Sequence, residues 1–271
     1  MDGLTDIDRD VWAREGYVVL PGYLAQGGLQ GLREVCDGVL AAWRATRPAD
    51  AEDVTNMAYL TAPRYHATPK TILPLLMFAA DPWLVGQLER LSCDAEPRFQ
   101  NTQYFMEPLQ QTWDGAWHRD MQFGARDAAD ERQRRTALTG VHFRVALVDD
   151  PWFHIVPGSH LPDDTEAEYT ARVVKAGAPL PDGRQITLAA GDALLFPAWS
   201  VHRGIYVAGQ ARRALDVIYE WGPVVDWSAP PPTCFLGEAL LALLAQLPQA
   251  AQDFYGRFID AHAPRWRATQ A

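Results

Sequence analysis

The sequence predicts a mainly β domain, an antiparallel sandwich or barrel with α-helices packed against it. Short runs rich in β-branched and aromatic residues, separated by Gly, Pro and Asp, follow one another after Pro97. Helical patterns precede these runs and another helical pattern follows them. A length of 271 residues is compatible with one domain of this kind. We therefore expect a single domain over residues 1–271, with a helical part over about 1–96, a β core over about 97–225 and a C-terminal helix over about 234–262.

The N-terminal part contains helix signals around one short strand. The segment "TDIDRDVWAREG" starts with the possible cap residues Thr5 and Asp6 and ends at Gly16. "YVVLPG" is an apolar strand that ends at a Pro-Gly pair. A longer helix is predicted by apolar residues at helical spacing, namely Leu29, Leu32, Val35, Val39 and Leu40. "DPWLVGQLERLSC" predicts a further short helix.

The β core is predicted from five segments, and two loops could cover it. The segments are "RFQNTQYFMEP", "TGVHFRVALVDD", "WFHIVPGSH", "QITLAAGDALLFPAWSVHRGIYV" and "RRALDVIYEWGPV". Residues 46–70 are polar and contain several prolines, and residues 124–137 are highly charged, so we expect both to be loops and candidate substrate lids. "APPP" at 229–232 predicts a rigid connector into the C-terminal helix.

Charge and cysteine usage restrict the class of partner. The formal net charge of -10 argues against nucleic acid, because phosphate binding relies on Lys and Arg. Three widely spaced cysteines give neither a disulfide framework nor a CxxC zinc motif, which favours the reducing cytoplasm. The acidic N-terminus lacks the apolar centre of a signal peptide, and no apolar run reaches the roughly 18 residues of a spanning helix. We therefore expect a cytoplasmic protein that acts on a small molecule, away from membranes.

The stretch "GAWHRDMQF" contains a candidate pair of metal ligands. His118 and Asp120 are separated by one residue, so they share a face if the chain is extended there. His202, after an apolar strand and a Gly-Asp turn, is the best candidate for a third ligand. Two histidines and one carboxylate leave positions open on the opposite side of the metal, as in non-haem iron(II) enzymes that activate O₂. Zinc sites can use the same residue types, but they favour tetrahedral closure.

Arg213, eleven positions after His202, suggests a second component of the site. If residues 212–220 form a strand, Arg213, Leu215 and Val217 share one face and Arg212 lies on the other. A guanidinium among apolar residues inside a barrel is costly unless an anion meets it. Its planar donors suit a carboxylate, so a dicarboxylate could bind the metal at one end and Arg213 at the other.

These residues resemble one known family. The order His118-x-Asp120, then His202, then Arg213 followed by "AL" is similar to the phytanoyl-CoA dioxygenase family of iron(II)/2-oxoglutarate oxygenases. "VPGSH" at 156–160 resembles the family's turn between the metal-binding segments. "DRDVWAREGYVVLPGYL" and "LAAGDALLFPAWSVHRG" resemble its N-terminal opening and the strand before its second histidine. The resemblance covers nearly the whole chain, from Asp8 to Trp221.

The resemblance implies a fold, a set of cofactors and a reaction. The fold is a double-stranded β-helix, a cupin-like jelly roll. His118, Asp120 and His202 would bind Fe(II), Arg213 would anchor 2-oxoglutarate, and O₂ would be the oxidant. Two features depart from the pattern: no Asn-Gly pair precedes "VPGSH", and Gly204 replaces a serine or threonine of some members. Asp120 is the carboxylate that related halogenases replace by a small residue, so hydroxylation of a small organic metabolite is favoured over halogenation.

Further residues are candidates for the pocket. Gln103 and Asn101 share a face with Phe105 and could donate to the co-substrate carboxylate. Arg144 either extends to solvent or binds an acidic group in the pocket. Trp117 and Trp152 could form substrate walls, although aromatic residues are more often part of a core.

The remaining histidines receive weaker assignments. His142 and His154 are interpreted as sheet residues, either of which could face the pocket. His160, within "VPGSH", is expected to be structural. Neither His66 nor His262 is assigned a functional role.

Other functions remain open at this point. Desaturation, cyclisation or epimerisation would use the same ligands as hydroxylation. A redox-inactive, cupin-like metal isomerase or lyase would not need 2-oxoglutarate, and Arg213 would then need another role. A non-catalytic β-sandwich binding protein is disfavoured because the three candidate ligands are all present.

Overall fold

The β core consists of two antiparallel sheets that share a cavity. The computed structural model describes residues 6–47, 53–93, 95–137, 139–161, 163–225, 231 and 233–270. Its strands are β1 (Val18–Leu20), β2 (Asn56–Ala58), β3 (Arg98–Met106), β4 (Trp113–Asp114), β5 (Thr139–Ala146), β6 (Asp150–Ile155), β7 (Arg184–Leu188), β8 (Ala193–Pro197), β9 (His202–Tyr206) and β10 (Arg213–Trp221). Within the described residues, one sheet has the order β1-β8-β5-β10-β3-β2 and the other β4-β9-β6-β7. The predicted antiparallel β core with flanking helices is confirmed.

Helices cover the outer face of the larger sheet and both ends of the chain. They are α1 (Arg9–Glu15), α2 (Gln26–Ala45), α3 (Leu73–Ala79), α4 (Pro82–Leu91), α5 (Ala128–Ala137), α6 (Glu166–Tyr169), α7 (Glu238–Leu244) and α8 (Gln249–Gln270). The first helix begins one turn later than its cap signals suggested. Asp8 is its N-cap and accepts hydrogen bonds from two backbone N–H groups, whereas Thr5 lies outside the described residues. Gly16 ends the helix with φ 70°, as its position predicted.

The two predicted loops contain regular structure. Residues 46–70 include strand β2, which pairs with β3 at the edge of the larger sheet. Residues 124–137 include helix α5, so the prediction of a loop there is wrong. The charges that suggested a solvated loop instead pair with one another, because Asp130 contacts Arg126 just before the helix and Arg134 within it, each at a spacing of four residues.

The C-terminal helix is divided into α7 and α8. The break follows from Pro248, which removes a backbone donor and disfavours continuation of a helix through it. The predicted connector at 229–232 lies outside the described residues except for Pro231. The carbonyl of Pro231 accepts a hydrogen bond from the indole of Trp266 at 2.6 Å, which ties the connector to α8.

Strand β10 separates two buried environments. Leu215, Val217 and Tyr219 pack into the main hydrophobic core together with the helices. The Tyr219 hydroxyl donates to the carbonyl of Ala79 in α3 at 2.8 Å. Because side chains alternate along a strand, Asp216 points to the opposite face, toward the second sheet. The polar face of β10 therefore lines the interior between the sheets.

An apolar helical segment belongs to the main core. Residues Lys70–Leu91 contain an 18-residue window with a mean hydropathy of 1.3, long and apolar enough by composition to cross a membrane. The expectation that no apolar segment reaches this length is therefore wrong. In the structure this segment is divided between α3 and α4, and Leu75, Leu76 and Leu84 are fully buried in the main core. The expectation of no membrane association stays a prediction.

Candidate functional site

Backbone hydrogen bonds bring the "HRD" segment against the start of β9. The backbone N–H of His118 donates to the carbonyl of His202 at 3.0 Å, and the N–H of His202 donates back at 2.9 Å. The N–H of Asp120 donates to the carbonyl of Ala198 at 3.0 Å. These contacts fix two distant parts of the sequence side by side, with their polar side chains facing the same cavity.

The three side chains are spaced to share one metal ion. Oδ1 of Asp120 lies 3.3 Å from Nε2 of His118 and 3.6 Å from Nε2 of His202. All three potential ligand atoms lie within 4.8 Å of one another. Metal–ligand bonds of about 2.1 Å at right angles place neighbouring ligand atoms about 3 Å apart. The donor set therefore fits one transition-metal ion with open positions on its cavity side.

The second ring nitrogen of each histidine fixes its tautomer. Nδ1 of His118 lies 2.8 Å from the carbonyl of Ala116, and Nδ1 of His202 lies 2.9 Å from the carbonyl of Ser200. A carbonyl only accepts hydrogen bonds, so Nδ1 carries the proton in both rings. Each Nε2 then presents a lone pair, which is the form that binds a metal.

The electrostatics of the site favour the metal-binding protonation states. Burial lowers the pKa of His202 to about 3, so this ring is neutral at neutral pH. Burial acts to raise the pKa of Asp120, but the surrounding histidines together outweigh it and hold that pKa well below its usual value. Burial acts to lower the pKa of His118, whereas its contact with Asp120 raises it on balance. The raised pKa favours a second proton on the His118 ring, at Nε2. A metal that binds Nε2 displaces this proton.

A third histidine holds the other oxygen of the carboxylate. Nε2 of His142 lies 2.6 Å from Oδ2 of Asp120, and its Nδ1 lies 3.3 Å from Oδ2 of Asp216. Arg144 binds Asp216 through two contacts, at 2.7 and 2.8 Å. Burial acts to lower the pKa of His142, but the two carboxylates raise it to about 9. His142 therefore faces the pocket and orients Asp120. The sequence had left open whether this histidine faces the pocket.

Arg213 does not face the cavity, so its expected role as the co-substrate anchor is wrong. Its Nε donates to Oδ1 of Asp37 in α2 at 2.7 Å, and its Nη1 contacts the carboxylate of Glu107. The side chain shares the face of Leu215 and Val217, as the alternation predicted. That face packs against the helices rather than the interior of the barrel.

The neighbouring arginine approaches the cavity instead. Arg212 is 1% exposed, and its Nε lies 3.3 Å from Oδ2 of Asp150. Its Nη2 has no hydrogen-bond partner among the described residues. A Cβ atom at Gly204, which lines the cavity, would lie only 3.0 Å from Nη1 of Arg212. A buried guanidinium with an unused donor beside the cavity is suited to an anion.

A signal for Arg212 was present in the sequence. Arg212, Asp216 and Glu220 share one face of the strand, and that face is the polar one. The sequence interpretation placed the apolar face toward the site. In a barrel whose outer face is covered by helices, the apolar face of this strand packs outward and the polar face lines the site.

The other predicted pocket residues divide into two groups. Asn101, Gln103 and Arg144 line the cavity. The side-chain oxygen of Asn101 accepts from the backbone N–H of Tyr59 at 2.9 Å, which leaves its amide nitrogen available. Arg144 is 3% exposed and bound to Asp216, so it is a cavity residue rather than a side chain that extends to solvent.

The two tryptophans do not form cavity walls. Trp117 is buried in a separate apolar cluster with Val156 and Leu180. Trp152 precedes Phe153, which lines the cavity, so Trp152 points to the opposite face of β6. Neither tryptophan belongs to the cavity lining, and Trp117 has the core role that was expected to be the more frequent one for aromatic residues.

A buried ionic cluster supports the segment that carries the candidate ligands. Arg119, between the two ligand positions, is fully buried and donates to Oδ1 of Asp164 at 2.8 Å. It also contacts the backbone carbonyls of Ser159 and Trp199. Arg172 binds the same Asp164 carboxylate from the turn after α6. The cluster ties the ligand segment to the "VPGSH" turn and to residues near α6.

The cavity beside the three candidate ligands has a volume of about 480 Å³. Both sheets contribute to its lining, which combines aromatic rings with carboxamides, carboxylates and histidines. This size falls in the range of small-molecule sites. The arrangement can hold a metal ion, a small anion near Arg212 and a further small molecule toward the opening.

Comparison with known proteins identifies the family. The family model described as phytanoyl-CoA dioxygenase matches residues 12–214. No curated protein matches the chain. Among solved structures, the non-heme alpha ketoglutarate dependent epimerase SnoN from nogalamycin biosynthesis has a TM-score of 0.56 and 20% identity, covering 83% of this chain and 86% of that chain. EctD from S. alaskensis with bound Fe has a TM-score of 0.59 and 16% identity, covering 83% and 80%.

A third structure extends the comparison. The non-heme alpha ketoglutarate dependent carbocyclase SnoK, also from nogalamycin biosynthesis, has a TM-score of 0.56 and 18% identity, covering 83% of this chain and 89% of that chain. At these identities the structural similarity establishes the shared jelly-roll fold. The family match spans most of the chain, including every candidate metal ligand. The chain therefore belongs to the phytanoyl-CoA dioxygenase family and is an oxidoreductase that depends on Fe(II), 2-oxoglutarate and O₂.

Proposed function

We propose that this protein hydroxylates a small organic metabolite, with His118, Asp120 and His202 as the ligands of Fe(II). The observation that carries the proposal is the triad geometry. Three ligand atoms lie within 4.8 Å of one another, and both histidines are held in the metal-binding tautomer by backbone carbonyls. Fe(II) bound there supplies the activation of O₂ that accompanies oxidative decarboxylation of 2-oxoglutarate.

Arg212 is proposed to anchor the distal carboxylate of 2-oxoglutarate. Its buried Nη2 has no partner among the described residues, and it approaches the cavity beside Gly204. Arg144 lies nearby, since the Cζ atoms of Arg144 and Arg212 are 4.6 and 5.8 Å from the ring of Phe105. Arg144 is already bound to Asp216, so the unused Nη2 donor of Arg212 is the group that favours a carboxylate at this end of the cavity. Gln103, which lines the same cavity, is a further candidate donor to the co-substrate.

Two further cavity residues support the candidate ligands: His142 orients Asp120, and Phe153 shields His202 from water. His142 holds Oδ2 of Asp120, which leaves Oδ1 for the metal. Phe153 lines the cavity beside His202, with ring centroids 5.5 Å apart, and keeps this region apolar. This ring limits the access of bulk water from the side of His202.

Hydroxylation is proposed over halogenation because Asp120 occupies the carboxylate position of the triad. The proposal also includes a single domain and the cytoplasm as the compartment. Cys36, Cys93 and Cys234 are free thiols, which suits a reducing compartment.

A spectroscopic experiment tests the proposal. Purified protein is supplied anaerobically with Fe(II) and 2-oxoglutarate, and the weak visible charge-transfer band of the chelate is recorded. We expect the band in the wild-type protein and its loss in His118→Ala. After addition of O₂, succinate should form. If the wild type gives neither the band nor succinate, the proposed function is wrong.

A further inference from the structure

Glu220 is a buried carboxylate that the proposed reaction does not use. It lines the cavity and is 5% exposed. Nη2 of Arg98 and Nε2 of His262 both approach its Oε1, each at 3.5 Å. No hydrogen bond of normal geometry reaches either oxygen from the described residues. A buried carboxylate without hydrogen bonds is unfavourable, so the cavity side of Glu220 is suited to a donor from a ligand.

Backbone pairing through Gly140 and Ala198 connects Glu220 with the candidate metal ligand Asp120. It is paired with Gly140 across β10 and β5, and the N–H of Ala198 donates to the Gly140 carbonyl at 2.8 Å. Ala198 in turn accepts from the N–H of Asp120. Gly140 has no side chain, and a Cβ atom there would lie 3.2 Å from the Cβ of Ala198. The glycine therefore keeps the wall between Glu220 and Asp120 open for a ligand.

The charges around this part of the cavity favour a cation. Among the described residues that line the cavity, Arg144 is the single Lys or Arg, and Asp216 already neutralises it. Arg98 lines a different surface groove, and its Nη2 donates to the carbonyl of Gly222 at 2.7 Å. Arg98 pairs with Glu220 only at 3.5 Å and is otherwise engaged by Gly222, so an anionic substrate would find no free positive group beside Glu220, whereas an ammonium group would find a buried carboxylate that is paired only at long range.

Unpartnered amides add hydrogen-bonding capacity to the same cavity. The side chains of Asn56, Gln100 and Gln103 line it, and none of them hydrogen-bonds to another described residue. Their oxygens can accept further N–H groups, and their nitrogens can donate to substrate oxygens. A few polar groups of this kind in a cavity fix the orientation of a ligand.

We infer that the substrate carries a protonated amine, which Glu220 binds across Gly140 from the metal triad. This inference rests on the proposed function, because it assigns the substrate to the cavity of the same site. Binding of the ammonium group by Glu220 places the carbon skeleton over Gly140, next to the open side of the triad. Glu220 is thus a specificity residue of the reaction.

Three probes with one ring and different head groups test the inference: cyclohexylmethylamine, cyclohexylmethanol and cyclohexanecarboxylate. Their dissociation constants are measured by calorimetry with the full chain, anaerobically with Fe(II) and 2-oxoglutarate and again without either. We expect the amine to bind at least about tenfold more tightly than the alcohol, because its hydrogen bond to Glu220 is charge-assisted. The carboxylate should bind most weakly.

Two variants test whether Glu220 and Gly140 cause the preference for the amine probe. Glu220→Gln keeps the shape of the side chain and should remove the preference for the amine over the alcohol. Gly140→Ala retains Glu220 but narrows the passage to the triad, and it should weaken amine binding. Glu34→Gln, which removes a charge from the exposed face of α2, is the matched control and should bind all three probes as the wild type does. Melting temperatures identify any variant that fails to fold.

The outcomes separate the inference from the proposed function. If the chelate band forms but the alcohol or the carboxylate binds as tightly as the amine, the inference is overturned and the oxygenase assignment stands. Equal absence of binding for all three probes, or an amine preference that survives in Glu220→Gln, overturns it too. If the band is absent while calorimetry still shows the Glu220-dependent preference, the proposed reaction fails and the amine site remains.

Discussion

Nε2 of His142 lies 2.6 Å from Oδ2 of Asp120. The contact is the end of a buried chain that starts at Arg144 and passes through Asp216. It restrains the carboxylate that the proposed iron site needs and directs its other oxygen toward His118 and His202. His142, on a different strand, therefore orients a candidate metal ligand.

Replacement of His142 by Phe tests this restraint. The ring should remain stacked on Phe196, whose centroid lies 4.8 Å away, but the ion pair with Asp120 is lost. We expect the affinity for Fe(II) to fall by about 10- to 100-fold, measured by anaerobic titration. His154→Phe is the control, because His154 lies on β6 outside the cavity lining, and it should bind metal normally. An unchanged affinity in His142→Phe would show that the contact does not position the ligand.

Arg212 and Arg213 should respond differently to the same substitution. Arg212→Lys retains the charge but loses the planar donors, so we expect the dissociation constant of 2-oxoglutarate to rise at least about tenfold. Arg213→Lys should leave that constant unchanged and lower the melting temperature, because it weakens contacts with Asp37 and Glu107. For both variants, the dissociation constant of 2-oxoglutarate is measured by titration of the visible charge-transfer band of the Fe(II) chelate. The reverse pattern would restore Arg213 as the anchor.

Asp164 should make stability depend on pH in the acidic range. Burial acts to raise its pKa, but Arg172 and Arg119 outweigh it and hold the folded-state pKa below the usual 3.8. Its contribution to the free energy of unfolding is therefore complete above pH 3.8 and is lost as the pH falls toward the folded-state pKa. At neutral pH, Asp164→Asn should cost roughly 1–3 kcal/mol, allowing for partial solvent screening.

Denaturant unfolding at several pH values measures this contribution. The difference between wild type and Asp164→Asn should shrink below pH 3.8. Asp163→Asn is the control, since Asp163 is largely exposed and lies 3.8 Å from Arg132, and it should have little effect at any pH. A pH-independent difference for Asp164→Asn would argue against the ionic origin of the effect.

Gly16 should tolerate no side chain. Its φ of 70° favours glycine, and a Cβ atom there would lie 2.1 Å from Nδ1 of His160. We expect Gly16→Ala to lower the free energy of unfolding by roughly 1–3 kcal/mol. Gly31→Ala is the matched control, because Gly31 lies within α2 with open space around its Cα, and it should stabilise the protein by about 0.5–1 kcal/mol. Equal stability of the two variants would contradict this account.

The sequence alone determined the fold class and the three candidate metal ligands. Period-2 runs between Gly and Pro turns predict an antiparallel β core, because strand side chains alternate whatever the tertiary context. The spacing of His118 and Asp120, with His202 at a later strand end, indicates one site because few other arrangements suit those donors. The charged segment containing α5 shows where sequence patterns do not predict the local structure. Its charges are compatible with a solvated loop and with a helix alike.

Only the tertiary structure decided which face of β10 meets the site. Alternation separates Arg212 from Arg213, but it does not say which side the helices cover. Both faces of this strand are buried, one under helices and one under the second sheet, so hydrophobicity pointed to the wrong face. Glu220 was missed as a site residue, and the position of His142 was left open, for the same physical reason. Their roles depend on side chains from other strands and from α8, and such contacts exist only once the sheets have packed.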